Sequence, residues 1–497
     1  MAWTRWHRCA VLACLVAGAA WLSLTAAAQD ALPQPTPLQT TTASPMPAAG
    51  VPALPPGFKA LPINLPTALQ LANARPIDVA VATQRIRQAA AQLEQAQVLW
   101  LPTIDVGIDY YHHDGRIQDT AGTVSDNSHG GFMVGAGPYA VFALSDAIFQ
   151  PLAARQDVRA RQAALQTARN DSLLAVSQAY FNVQQARGEL AGAEEIARRI
   201  NQLVERTRGL VASGVVPELE VFRARAAAAT ANQALQRARA DWRVASADLV
   251  RVLRLDPAAV VEPLEPPQLR VDLVALERPV DDLIRLALTN RPELASQQAL
   301  VQATLERLRQ EKLRPLIPSL LLRGFSTPVT GTLAGGLYGG GVNDNVGNFG
   351  ARSDFDIQLL WQLQNLGFGN RALVHQRQAE NQQAVLELFR TEDRVAAEVA
   401  QAYAQAQTAA QRIKDATEEL QAAAESANKN VQGLGQSKLA GNVLILLVRP
   451  QEVVAALQAL GQSYADYYTA VADYDRAQFR LYHALGQPAQ ALAPTTT

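Results

Sequence analysis

The sequence predicts a mainly α-helical protein built on long antiparallel coiled coils, with four β-strands per chain for a membrane β-barrel. Two observations predict this fold: a sustained heptad pattern and an internal repeat that places strands beside long helices. In residues 390–434, apolar positions recur every seven residues, at Val399, Ala406, Ile413, Leu420, Ala427 and Leu434. Such a repeat keeps one seam against a partner helix and favours a left-handed supercoil. No proline lies between Gly369 and Lys438, which predicts a helix of roughly 70 residues, about 100 Å long.

The internal repeat is marked by two pairs of prolines. Pro76 opens a predicted helix and Pro102 ends it, and Pro292 and Pro318 do the same 216 residues later (292 − 76 and 318 − 102). Proline starts a helix well but breaks its interior, so each pair brackets a helix and leads into an extended segment. Two units of the same layout are therefore predicted.

Strands follow each ending proline, because apolar and polar residues alternate there. Ile104, Val106, Ile108 and Tyr110 alternate with polar residues and glycine in the first unit. The predicted strands are 103–111, 132–145, 318–327 and 353–363, separated within each unit by glycine-rich loops over 112–131 and up to 352. Strands of about 9–11 residues with one apolar face fit a membrane β-barrel. A soluble hairpin packed on the helices is the alternative.

Long helical hairpins follow the strands in both units. The predicted hairpins are 147–254, with a turn at 213–217, and 367–485, with a turn at 439–442 and a return helix from about Val443. A Pro-rich linker over 256–279 joins the two units. The first repeat therefore spans 63–279 and the second 280–486.

The two ends of the chain lie outside these repeats. Residues 1–28 combine basic residues, an apolar run and Ala26-Ala27-Ala28, the pattern of a cleaved secretory signal peptide. An uncleaved membrane anchor is the alternative. Residues 29–62 are rich in Pro, Thr and Ala with few charges and predict a disordered tail, and 487–497 predicts a short polar tail.

Composition and motifs argue against catalysis and against nucleic-acid binding. The formal net charge is −1, which gives no signature of polyanion binding. We find no phosphate-binding loop, metal ligand set or nucleophile elbow, so we expect no enzyme activity, catalytic residue, metal or cofactor. His112-His113 lies in a predicted loop, without a partner at ligand spacing.

Four strands in one chain cannot close a barrel, and open sheet edges are not tolerated in lipid. The smallest membrane barrels have about eight strands. Three chains of four strands each would supply a 12-stranded barrel, so the sequence predicts a homotrimer. Helices continuing from those strands would form a closed cylinder of coiled coils.

This layout resembles the TolC-type outer-membrane efflux channel family over about residues 65–488. The resemblance rests on the paired helix starts, the paired helix–Pro–strand junctions, the segment Phe149-Gln150-Pro151-Leu152, and Gln178-Ala179-Tyr180-Phe181, which Gln401-Ala402-Tyr403 echoes. It implies an outer-membrane location with a long periplasmic extension. It also implies passive export of substrates delivered by a periplasmic adaptor and an inner-membrane pump.

The resemblance also implies two sets of site residues at the periplasmic tip. The adaptor-contact candidates match the family's Gly-Leu step and its small polar residue, namely Gly209, Leu210, Ser213, Gly433, Leu434 and Ser437. The gate candidates are Glu218, Glu220, Leu444, Leu446, Leu447 and Arg449. Where relatives place acids after the second turn, this chain has an apolar run that ends in Arg449, so we expect an apolar constriction with Arg449 placed to pair with Glu218 or Glu220. The alternative is packing core with a solvated arginine.

Two other functions remain open from the sequence. A structural coiled-coil protein tethered at the cell surface would share the heptads, and a polypeptide secretion channel would share the whole layout. Trimers that resist detergent would favour a channel, and extraction without detergent would favour the rod.

Overall fold

The computed structural model describes residues 59–74, 76–101, 103–323, 335–342, 348–353, 356–440 and 443–487. The predicted signal peptide and most of the predicted N-terminal tail fall outside these residues, as does the C-terminal tail beyond residue 487. The described part is predominantly helical, which confirms the helical part of the predicted fold class.

The helices of the described part include two that are far longer than the rest. The α-helices are α1 (Leu65–Ala74), α2 (Ile77–Gln97), α3 (Leu144–Ala212), α4 (Leu219–Leu253), α5 (Val280–Asn290), α6 (Pro292–Leu313), α7 (Phe368–Gly433) and α8 (Pro450–Ala484). Helix α3 has 69 residues and α7 has 66, so each is about 100 Å long at 1.5 Å per residue.

The strands of the described part form three sheets. They are β1 (Lys59–Ile63), β2 (Thr103–Gln118), β3 (Val124–Ala143), β4 (Ala259–Pro263), β5 (Ser319–Arg323), β6 (Gly335–Val342), β7 (Asn348–Ser353), β8 (Asp356–Leu360), β9 (Ser437–Ala440) and β10 (Val443–Leu446). Helices, strands, a long helix and a return helix follow one another twice along the described chain.

Each long helix packs against different neighbours along its length. Helix α3 contacts α2 and α6 in its first part and α4 and α8 further on, while α7 contacts α6 and then α8. Side chains mark these contacts: Arg307 on α6 pairs with Asp157 on α3 at 2.6 Å, and Ser463 on α8 bonds Glu419 on α7 at 2.9 Å. Away from the sheet, the helices therefore form a layer of four in the order α4, α3, α8, α7.

The large sheet is four strands wide. Strand β3 pairs with β2 along one edge, and along the other edge it pairs first with β6 and then with β5. Strand β7 pairs with β6, and β8 pairs with β5. Across the sheet the order is therefore β2, β3, then β6 or β5, and last β7 or β8. The six described strands therefore form a sheet that is four strands across.

The predicted loop over residues 112–131 is wrong, because most of it is strand. Strands β2 and β3 stay paired up to Gln118 and Val124, and only five residues form the turn. The Gly, Asp, Asn and His content indicated a loop, yet cross-strand pairing continues through it and Arg116 pairs with Asp126 at 3.1 Å. The second glycine-rich loop likewise contains β6 and β7.

The return helix of the second repeat starts at Pro450 rather than near Val443. Residues 437–446 form the antiparallel hairpin of β9 and β10 instead. Two features account for this: Pro450 takes the first helical position, and a residue before proline is pushed into an extended conformation, as Arg449 is (φ −88°, ψ 151°). The β-branched Val443 and Ile445 also favour a strand.

The last residues of the predicted disordered tail and part of the predicted linker are ordered. Strand β1 pairs in parallel with β4, which brings Lys59–Ile63 against residues 259–263. Helix α8 then fixes the rest of the linker, because Asp475 Oδ1 accepts from the Val271 N–H at 2.8 Å and Gln478 Oε1 from the Val274 N–H at 2.9 Å. Burial raises the pKa of Asp475 well above its ordinary value. Local composition did not reveal these partners, which lie about 200 residues away.

Helices α3 and α8 approach closely because glycines face tyrosine rings. A Cβ built on Gly188 would lie 2.5 Å from Tyr468 Cδ1, and one on Gly192 would lie 2.9 Å from Tyr464 Cβ. Both tyrosines are buried. The two rings fill the space that the glycines leave, and they lie in the cluster that holds α8 on α3.

We expect Gly188→Ala to destabilise the protein although alanine is the better helix former. Alanine would gain about 1 kcal/mol in helix propensity, but overpacking against a buried ring costs about 1–3 kcal/mol. The measurement is the midpoint of heat-induced loss of helical circular dichroism in detergent. Gly209→Ala is the matched control, since nothing lies within 4 Å of a Cβ there, and its midpoint should stay or rise. An equal or higher midpoint for Gly188→Ala would contradict the packing argument.

Candidate functional site

One face of the large sheet exposes a row of apolar side chains. Val106 is 79% exposed, and Ile108 and Tyr110 follow on the same face of β2. Ile357 and Leu359 are exposed on β8. An exposed apolar row of this kind marks a surface that is covered by another partner.

The sheet also has two outer edges. Within the described residues, β2 is paired only with β3, while β7 and β8 are paired only with β6 and β5. Each of these edges presents a row of backbone N–H and C=O groups. No described helix combines the length and the apolar composition needed to cross a membrane.

The turn between α3 and α4, residues 209–218, lies at the end of α3 away from the sheet and is called the first tip. It is a compact helix turn. Gly214 has φ +73°, its N–H donates to Val211 O at 2.9 Å, and the Val215 N–H donates to Leu210 O at 2.9 Å. These bonds are the Schellman arrangement, which satisfies the last carbonyls of a helix. The structure therefore places Leu210 and Ser213 in the turn. Gly209 lies beside them, with free space where a side chain would be.

The end of α7 and the described residues between α7 and α8 are called the second tip. Here the end of the helix is covered by a later residue of the same chain. A Cβ on Gly433 would lie 2.6 Å from Val448 Cγ2, so Gly433 faces Val448 rather than open space. Leu434 forms a bridge with Val448, and the Leu447 N–H donates to Gln436 O at 2.9 Å. Ser437 begins β9.

The two tips contact each other. A Cβ on Gly435 (φ +82°) would be 3.3 Å from Leu210 Cδ2, which places the second tip against the first. The structure thus brings together candidates from both repeats. Sequence reasoning missed Gly435 and Val448, since nothing local marks a contact between turns more than 200 residues apart.

Among the gate candidates whose side chains the structure describes, Glu220 is the most enclosed. It is 9% exposed, and one of its oxygens accepts from Arg223 Nη1 at 2.7 Å. Arg223 also donates to Gln451 Oε1 on α8 at 3.3 Å, so this arginine joins α4 to α8. The second oxygen of Glu220 is buried and has no hydrogen-bond partner among the described residues. Arg223 lies three residues after Glu220, a spacing that makes helical ion pairs, and that signal was present in the sequence.

The other gate candidates lie around this link. Glu218 precedes the first turn of α4, and Leu447 and Arg449 are exposed before α8. The Arg449 N–H donates to Glu452 Oε2 at 3.3 Å. Leu444 and Leu446 lie in β10, opposite Leu439 and Ser437. Within the chain, the ion pair of Glu220 is with Arg223, and the predicted pairing of Arg449 with Glu218 or Glu220 stays a prediction about neighbouring copies.

The geometry defines a class of protein: two long helical hairpins that carry a four-stranded sheet with open edges. The model of the family described as outer membrane efflux protein matches residues 68–253. This match confirms the resemblance that the sequence predicts. A comparison with curated proteins gives no match.

Solved structures of outer-membrane channels have the same fold. The outer-membrane channel OprN is 16% identical, with 86% of this chain and 90% of that chain covered and a TM-score of 0.67. The CmeC channel of Campylobacter jejuni is 16% identical, with 85% of both chains covered and a TM-score of 0.66. The open state of the MtrE channel of Neisseria gonorrhoeae is 15% identical, with 85% and 89% covered and a TM-score of 0.64.

We expect Gly433→Ala to loosen the second tip, because the added methyl group meets Val448. Val448 is β-branched and has few rotamers with which to yield. The measurement is the initial rate of trypsin cleavage after Lys438, which lies in β9, and it should rise several-fold. Val448→Ala removes the clashing methyls, so the double variant should return towards the rate of Val448→Ala alone. A rate unchanged by Gly433→Ala would contradict the close contact.

Proposed function

We propose that the chain is the outer-membrane channel of a tripartite efflux system and passively conducts substrates from the periplasm to the exterior. The observation that carries this proposal is the four-stranded sheet with an exposed apolar face and two open edges, continuous with helices about 100 Å long. The family match and the fold of solved outer-membrane channels support it. A surface-tethered rod would not need such a sheet.

The homotrimer follows from the sheet edges. Lipid offers no hydrogen bonds, so each unpaired backbone group there costs several kcal/mol. Pairing β2 of one copy with β7 and β8 of the next satisfies both edges, and three copies close a barrel of twelve strands. The same closure brings α4 of one copy to α7 of the next, since these helices end the layer of four.

The partners are a periplasmic adaptor and an inner-membrane pump. Helices about 100 Å long carry the tip far from the membrane, to where such a pair would meet it. Gly209 and Leu210 form the open part of the first tip, and we assign the adaptor contact to this turn. Gly433 is covered by Val448, so in the second repeat we assign the contact to the surface of the hairpin itself. The matched family is one of transport proteins, and we propose no catalytic role.

The gate is proposed at the tip, where Arg223 joins α4 to α8. A ring of such links around a threefold axis would hold the return helices together, and the exposed Leu447 and Arg449 would border the opening. One of the solved relatives is an open state. We infer that this chain likewise has a closed and an open form, which differ in these links.

Leu359→Arg should weaken trimer assembly if β8 faces lipid. An arginine at mid-bilayer on the lipid face of a barrel costs about 2–4 kcal/mol, whereas lumen positions tolerate it. The matched control is Gln358→Arg, one residue earlier on the other face of the strand. The measurement is the fraction of detergent-resistant trimer in unheated gels of outer membranes. Equal trimer fractions in the two variants would count against a lipid-facing β8.

Arg223→Ala should raise the resting conductance of the purified protein in planar bilayers. The change removes the bond to Gln451 and leaves the enclosed carboxylate of Glu220 without its ion pair, and losing one partner of a partly buried pair weakens a closed state. Arg225→Ala, two residues on and also exposed, is the control. If both variants conduct like the unchanged protein, the Arg223 link does not hold the gate.

A further inference from the structure

Two histidines meet on the large sheet, in the segment where the sequence predicts a loop. The pairing of β2 with β3 sets His113 directly opposite His129. Opposite residues of antiparallel strands have Cβ atoms about 4.5–5.5 Å apart. The two imidazole rings accordingly lie 5.6 Å apart between centroids, with 41° between their planes.

Each ring turns one nitrogen away from solvent. His113 Nε2 and His129 Nδ1 are both buried, and neither has a hydrogen-bond partner among the described residues. Leaving a buried polar atom without a partner is unfavourable, and such atoms in a native site call for an explanation. A neutral imidazole has one nitrogen with a free lone pair, and that nitrogen is a metal ligand.

The spacing of the rings suits a shared metal ion. Imidazole nitrogens lie at about 2.0–2.1 Å from zinc, so two rings on one tetrahedral ion have centroids roughly 5 Å apart. The observed 5.6 Å is close to this separation. The ring of Tyr111 lies 5.9 Å from that of His129 and covers one side of the pair.

We propose that His113 and His129 form a two-imidazole site for a divalent transition-metal ion of the class of Zn²⁺, Ni²⁺ and Cu²⁺. Imidazole suits these ions, and water completes the coordination, since the described residues contain no cluster of three or more His, Cys, Asp or Glu side chains around one point. The site goes beyond the proposed function, which requires no metal.

The position of the site follows from the alternation of side chains along β2. Val106, Ile108 and Tyr110 form the exposed apolar row, and His113 is on the other face, with Asp109. In the barrel of the proposed function this other face lines the lumen, so that three copies would place three ions around the channel. This placement rests on the proposed function, whereas metal binding by the chain does not.

The test uses the full chain, purified in detergent without a polyhistidine tag and titrated with Ni²⁺ by calorimetry. We expect one ion per chain in the unchanged protein and an affinity at least about tenfold lower in His113→Ala and in His129→Ala, because loss of a ligand costs more than loss of an outer-shell partner. The matched control is His112→Ala, the adjacent histidine on the opposite face, whose affinity should stay unchanged. Cu²⁺ electron paramagnetic resonance should show nitrogen couplings that both single variants reduce.

Each outcome then bears on one claim. His113→Gln and His129→Gln keep a polar side chain and replace the alanine variants if helical circular dichroism shows that these do not fold. No binding to the unchanged protein, or variants of His113 and His129 that bind as tightly as the unchanged protein, would overturn the site. Ni²⁺ should also lower single-channel conductance in the unchanged protein but not in His113→Ala. Metal binding without any pore would leave the site standing and reject the channel.

Discussion

Unpaired backbone groups at a sheet edge are the constraint on which the structure depends. The sheet is four strands wide and has an exposed apolar face, and its outer strands β2 and β8 have one described partner each. Lipid cannot supply the missing hydrogen bonds, and in the proposed barrel other copies of the chain supply them. In the proposed trimer, the helices that face a neighbouring copy are those at the ends of the helix layer, α4 and α7.

Within one chain, small residues set how closely the helices pack. The heptad seam of α7 is mostly alanine, and Ala402, Ala406 and Ala409 are buried in it. On α3, glycines leave space for the tyrosine rings of α8, so small residues on α3 lie opposite large residues on α8. A single layer of long helices of this kind buries little apolar volume per residue. Their stability therefore comes from many small contacts along about 100 Å, rather than from one thick core.

The sequence predicted the helices better than the strand ends and turns, for a physical reason. Helix α7 was readable because its hydrogen bonds are local and its heptad is carried by the residues themselves. Residues 112–131 were misread because a polar, glycine-rich strand is recognised only through its partner, and the register that places His113 opposite His129 is not visible in either segment. Val443 was misread as helix although Arg449-Pro450 held the signal for a later start. At the tip, the Glu220–Arg223 pair was within reach of the sequence, whereas the bond from Arg223 to Gln451 joins residues 228 positions apart.

The two repeats differ most at their tips, where the return helices α4 and α8 are held by different contacts. Helix α8 lies between α3 and α7 and is fixed to both. Tyr464 and Tyr468 pack against α3, while Ser463 donates to Glu419 on α7 and Asp473 accepts from Arg412 on α7. Helix α4 contacts α3 strongly but α8 only weakly. Near the tip, the described residues link α4 to α8 through the exposed bond from Arg223 to Gln451 and through small alanines of α4 in the same buried cluster as Val453 and Leu457. A single exposed hydrogen bond is worth about 1 kcal/mol, much less than the packing of two buried tyrosines. In the proposed gate, the small contact of α4 with α8 would therefore separate before the tyrosine packing of α8 on α3.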